Sequence, residues 1–271
     1  MSIDRNAPCF CGSGKKVKKC HGFDNDSAFS KLVLITNKID NEIKLNADMS
    51  KLKCKNGCSE CCYQIFSISG VEFYYLAYNI IKNHGLDKFK EYVDKGMKVW
   101  EDFSTKYPEA SEMLMKDIHG SSNFDEYVNL TMNFDKDLPF LNKLPCPFLN
   151  LETNSCEVYE YRPLVCRYYG VGYINKSQYI EGYCSHTIDG TDYTKYQADL
   201  TKFTDEINQL AHYLSPKYNV LAFDRAYPIF YYFKIVSKNI DLVYSKIRER
   251  KDISKNEFAD RRMERAINRG R

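Results

Sequence analysis

The chain has 271 residues, 44% hydrophobic and 28% charged, which is the balance of a globular protein with one large domain or a domain with appendages. Its 39 Lys and Arg against 36 Asp and Glu give a formal charge of +3, which excludes a polyanion and offers no argument for nucleic acid by itself. The opening "MSIDRNAPC" has no apolar core of a secretory signal, and the most apolar run, Tyr227 to Val236, is too short to span a bilayer and contains Lys234. The protein is therefore expected in the cytoplasm, and that run is expected to form a buried helix.

In chain order, the first element is "NAPCFCGSGKKVKKCHG", residues 6–22. Cys9, Cys11, Cys20 and His21 form a C-x-C-x8-C-H pattern, three thiolates and one imidazole, which is a four-coordinate zinc set. Gly12 and Gly14 let the chain turn sharply between them. So small a segment has almost no apolar core, so metal binding must supply most of its folding free energy. Residues 1–22 carry Arg5, Lys15, Lys16, Lys18 and Lys19 against Asp4, a net of +4, which makes a docking surface for a protein or for ribosomal phosphate an expectation.

This stretch resembles the SEC-C motif, the small zinc finger at the C-terminus of the bacterial preprotein translocase motor. The resemblance implies zinc ligation by Cys9, Cys11, Cys20 and His21. It also implies docking, since the translocase finger contacts an export chaperone and the ribosome.

Leu32, Ile35, Ile39 and Ile43 recur at helical spacing and predict an amphipathic helix in residues 25–48, read as a linker. A second helix is expected after Ser69, a candidate N-cap, over "GVEFYYLAYNIIKNHG" to near Gly85, with His84 at its C-terminal end. Helical texture continues over residues 86–107 and 108–118, broken at Pro108. Trp100 is expected in the core. From residue 145 the sequence mixes Val, Tyr, Phe and Leu around the turn "ETNS", which predicts a short hairpin with Cys146 and Cys156 near its ends. Cys166 is expected on a brief helix or turn beyond it. After residue 191 the pattern reads as helical, ending in a charged tail rich in Arg. The fold class is mainly α with a small β hairpin: a finger at 1–24, the linker helix, a cysteine-rich domain at 49–190 and a helical extension at 191–271.

The 11 cysteines are odd in number and come without an export signal, so clustered thiols read as metal ligands rather than disulfides. Beyond the finger they are Cys54, Cys58, Cys61, Cys62, Cys146, Cys156, Cys166 and Cys184. Eight thiols suffice for two four-thiolate zinc sites, or for one iron–sulfur cluster with thiols to spare. The adjacent Cys61 and Cys62 are hard to aim at one metal, so either one of them packs while the other ligates or they serve different sites. Arg167, directly after Cys166, is placed to offset thiolate charge. His186, two residues after Cys184, reads as a polar neighbour of a ligand rather than a ligand. Irregular spacing and the adjacent pair favour an iron–sulfur cluster, with zinc left open. No P-loop, nucleophile elbow or Cys–His nucleophile pattern is present.

"CKNGCSECC", "CPFL", "CEVYEYRPLVCR" and the late Tyr183-Cys184 resemble the YkgJ-like CxxCxxCC family of zinc- or iron-chelating domains, over about residues 50 to 190. The resemblance implies a cysteine-bound metal, zinc or iron–sulfur. The family includes flagellin lysine N-methylases, so a methylase or an oxidoreductase is an alternative to a plain metal-binding protein. No Gly-rich loop marking an S-adenosylmethionine site and no assignable catalytic residue carries that activity to this chain. A ribosome- or export-chaperone-binding adapter led by the finger is the third reading.

Overall fold

The computed structural model describes residues 6–9, 11–22, 27–46, 57–115, 144–169, 173–175, 178–180, 198–214, 221 and 225–249. The expectations for Cys54, Cys184, His186 and the Arg-rich tail lie outside them.

The described residues are mostly helical, with short β pairings between the helices. Helix α1 runs Ala28–Asn46. Ser27 caps it, its hydroxyl accepting from the Ser30 backbone N–H at 3.1 Å, which satisfies one of the orphan donors of the first turn. Leu32, Ile35, Ile39 and Ile43, the stripe expected from the sequence, are all buried. Glu42 on this helix is buried too. It accepts from the Asp199 backbone N–H at 3.1 Å and pairs with Lys202. The helix is thus packed into the same apolar core as the rest of the chain.

Helix α2 spans Gly70–Lys106. It opens on a capping box: the Ser69 N–H and Oγ both donate to Glu72 Oε2, at 2.8 and 2.7 Å. At Gly85 the backbone turns to φ 86°, a conformation that glycine adopts without steric cost. The helical run therefore breaks where the sequence placed its first end, then resumes. Pro108 starts α3, Pro108–Met115, its missing N–H costing nothing at a first turn.

The apolar run anticipated as a buried helix is α6, Ile229–Ser237, which follows two short helices, α4 (Val165–Tyr168) and α5 (Thr204–Gln209). It packs along α2. Phe73 stacks on Tyr232 with ring centroids 5.0 Å apart and meets Phe233 edge-on at 4.9 Å. Trp100 is buried against Phe230 and Tyr231. Gly96 permits the contact, because a Cβ there would overlap the Phe233 ring. Helix α7, Ile240–Glu249, closes the described chain, with Val243 and Ile247 buried.

Strand β1, Ser67–Ile68, pairs antiparallel with β7, Tyr227–Pro228. The predicted hairpin is β2, Leu149–Asn150, against β3, Ser155–Cys156. Strands β4 (Tyr173–Asn175), β5 (Gln178–Ile180) and β6 (Ala198–Asp199) form a mixed sheet in the order β5-β4-β6, with β4 and β6 parallel. The purely helical reading beyond residue 191 is corrected here: β6 and β7 interrupt it. Two-residue strands have too little length for alternation to show in sequence.

Candidate metal centres

The N-terminal finger is built from local hydrogen bonds. Val17 N–H donates to Ala7 at 2.9 Å and Cys9 N–H to Lys15 at 2.8 Å, folding the two arms into a knuckle. Gly12 and Gly14 sit at φ 74° and 71° in its turn. A helical turn at Val17–Lys19 then delivers Cys20 and His21. The ligand atoms of Cys9, Cys11, Cys20 and His21 all lie within 4.8 Å of one another. His21 Nδ1 is 3.4 Å from Cys9 Sγ and 3.3 Å from Cys20 Sγ, and Cys11 Sγ is 3.6 Å from Cys20 Sγ. A regular tetrahedron around zinc with bonds of about 2.3 Å has edges of about 3.8 Å, so the spacing and the donor set both fit one metal ion. Burial, assisted by the nearby Lys82 cation, lowers the His21 pKa and keeps the ring neutral, the form that ligates.

The second centre is assembled from distant segments. Cys58 follows Gly57, which stands at φ 92°. Cys61 and Cys62 lie on a single 3-10 turn, Glu60–Tyr63. Cys146 precedes the hairpin, Cys156 ends β3, and Cys166 lies on α4. The Cys146 N–H donates to the Cys62 carbonyl at 2.6 Å, tying the first segment to the second. Pairing of β1 with β7, and the Tyr232 hydroxyl donating to the Ile68 carbonyl at 2.7 Å, fix the far end of the first segment against α6.

These six cysteines line one cavity of about 200 Å³. Its remaining wall is largely apolar, including Ile65, Phe66, Phe148 and Phe230. None of the nine described cysteines is in a disulfide. Cys61 and Cys62 face the same cavity. The interaction of their neighbouring thiols lowers Cys61 to about 7 and raises Cys62. Burial pushes Cys146 up to about 12 and Cys166 well above the ordinary thiol range. In the metal-free chain most of these thiols therefore hold their protons, and a metal must displace them. A set of soft thiol donors lining one cavity suits zinc or iron–sulfur chemistry.

Arg167 lines this cavity and interacts electrostatically with Cys166, while its hydrogen bonds go to other groups. Its guanidinium pairs with Asp40 at 2.7 Å and donates to the Arg162 and Glu160 carbonyls at 3.2 and 2.9 Å. The cation acting on Cys61 and Cys156 is Arg162, which favours their thiolates. It stacks over the Tyr159 ring at 3.8 Å. The only signal for it in the sequence is its place four residues before Cys166. Glu72 was also missed. Beyond capping α2, its Oε1 accepts from the Leu164 backbone N–H at 2.9 Å, which sets the entry to the Cys166 turn.

The chain's likenesses agree with this geometry. Residues 53–185 match the CxxCxxCC family. Its description is "Putative zinc- or iron-chelating domain", and the CxxCxxCC region covers every described cysteine of the cavity. Residues 5–23 match the SEC-C motif. Over 20 residues the chain is 85% identical to the protein translocase subunit SecA of Koribacter versatilis (strain Ellin345). That stretch is 7% of this chain and 2% of the translocase subunit, so the likeness concerns the finger alone. No solved structure matches the chain. Among the described residues, no helix is long and apolar enough to cross a membrane.

Proposed function

We propose that this chain is a metal-binding protein with two unlike centres, zinc in the Cys9–Cys11–Cys20–His21 finger and an iron–sulfur cluster in the thiol cavity. The observation that carries the reading is the convergence of six thiols, from residues 58–62 and 146–166, on one cavity. A single zinc ion needs its donors about 3.8 Å apart. Among the described residues, the finger meets that spacing, whereas the core thiols are spread around a cavity wall. A cluster spreads its thiolate ligands over several irons, so it suits the wider arrangement. Arg162 supplies positive charge beside the thiolates, and the apolar wall limits solvent, two features that tune a cluster's potential.

Anaerobic purification followed by iron, zinc and sulfide analysis and a visible spectrum tests this. The expected result is coloured protein that bleaches on reduction. Colourless protein holding zinc without sulfide overturns the cluster reading.

The exposed lysines of the finger, Lys15, Lys16, Lys18 and Lys19, support docking to a protein or ribosome partner. Co-sedimentation with ribosomes should fall steeply with salt if phosphate contacts carry it. Sedimentation unchanged by deleting residues 1–24 argues against that role.

A further inference from the structure

The two metal centres share a wall. A second cavity, about 160 Å³ and mostly polar, lies between the finger and the core. His21 borders it on the finger side. Asp40, Arg162, Pro163 and Arg167 border both this cavity and the thiol cavity. The wall is a hydrogen-bonded unit rather than a loose loop. Arg167 clamps the turn that carries it by donating to the carbonyls of residues 160 and 162, and Asp40 on α1 anchors the guanidinium. Glu72 on α2 holds the next residue, Leu164, by its N–H. Tyr75 borders the polar cavity on the α2 side, and its hydroxyl feels both Cys20 of the finger and Arg167 of the wall. Lys82, also on α2, acts on His21. On the finger, Cys9 and Val17 are buried while the lysines are exposed, so it has one inward side and one outward side.

We propose that the finger has an intramolecular partner: its His21 side seats on the wall formed by Asp40, Tyr75, Arg162 and Arg167, and zinc in the finger thereby orders the turn that presents Cys166 to the thiol cavity. The lysine side remains available to an external partner. Zinc fixes His21 relative to the knuckle, His21 borders the polar cavity that the wall closes, and the wall holds the backbone at residues 160–164 that leads into Cys166. Coupling of this kind is reciprocal in free energy, so a metal in the core must also tighten the finger's hold on zinc. The seat on the wall does not depend on which metal the core binds.

Amide hydrogen exchange across residues 160–169 of the full chain tests the proposal, comparing the native protein loaded with zinc alone with the Cys20→Ser variant. Exchange at these amides is expected to be about fivefold or more faster in the variant, the lower range of ordinary site-to-site coupling, while α2 and α6 keep their protection. Equal exchange in the two proteins overturns the proposal. The Asp40→Asn variant, whose finger ligands are intact, gives an independent arm. It is expected to keep one zinc in the finger and yet exchange faster over the same residues, and native-like exchange there removes Asp40 and Arg167 from the link. Since both arms are read with zinc as the added metal, a core that proves to hold no iron leaves their outcome interpretable.

Discussion

The finger and the thiol cavity use the same ligand atoms on opposite structural terms. In the finger, four ligands lie within thirteen residues, and only Cys9 and Val17 among the described finger residues are buried. Little holds that knuckle together besides a few backbone bonds, so a metal bound by its four donors would be the core of its fold. In the cavity, the thiols come from residues 58 to 166 and are presented by a scaffold with its own aromatic packing, α2 against α6. There the fold comes first and the thiols are mounted on it. Ligand spacing in sequence thus tells which of two roles a metal plays, building the structure or occupying one already built.

Stripping metal should separate the two most sharply. Chelation is expected to remove exchange protection from residues 6–22 almost completely, since zinc supplies on the order of 10 kcal/mol to such fingers. Helices α2 and α6 should stay protected and keep their far-ultraviolet signal. Collapse of the whole chain on chelation would erase the distinction.

Glu72→Ala reaches the scaffold under the cavity. It leaves the buried Ser69 and Leu164 N–H groups without their acceptor and should cost about 3 kcal/mol in chemical denaturation, at the upper end for buried unsatisfied donors. Gly96→Ala should cost about 2 kcal/mol by forcing the Phe233 ring aside. Finger zinc content is expected to survive both substitutions.

The pH response sharpens the contrast further. In the metal-free fold, Cys146 is raised from 9.0 to about 12 by burial. Above pH 9 the unfolded chain loses this proton before the folded chain does, so the unfolded state binds fewer protons. Stability must then fall with rising pH between about 9 and 12. Denaturant midpoints of metal-free protein that stay flat across that window contradict the burial of the thiol. The smallest effect is expected at the exposed Lys38–Glu206 pair, 2.7 Å apart. Lys38→Ala should change stability by about 0.5 kcal/mol or less.

Legibility in the sequence followed the same divide. The clustering of Cys9, Cys11, Cys20 and His21 could be read because those residues and their glycine turn are contiguous. The apolar stripe Leu32–Ile35–Ile39–Ile43, the Ser69 cap, the Gly85 break and the Pro108 start were also local and are found in the fold. The pairing of Ser67 with Pro228 was not readable, because each strand has two residues and the register is set by α6 packing on α2. Arg167 stood next to a cysteine in sequence, yet its bonds go to Asp40 and to carbonyls. Arg162 is the cation that acts on Cys61 and Cys156, since the turn before Cys166 brings it back to the cavity, while Arg167 acts on Cys166. That Cys61 and Cys62 face one cavity depends on a 3-10 turn that spacing alone did not specify.

The proposed function gives one chain two chemically different metal centres. Metal and sulfide content per chain, measured on anaerobically purified native protein and on the Cys156→Ser variant, tests this. One zinc together with iron and acid-labile sulfide is expected in the native protein, and loss of iron and sulfide with zinc retained in the variant. Zinc alone in the native protein, or zinc and iron lost together in the variant, would contradict it.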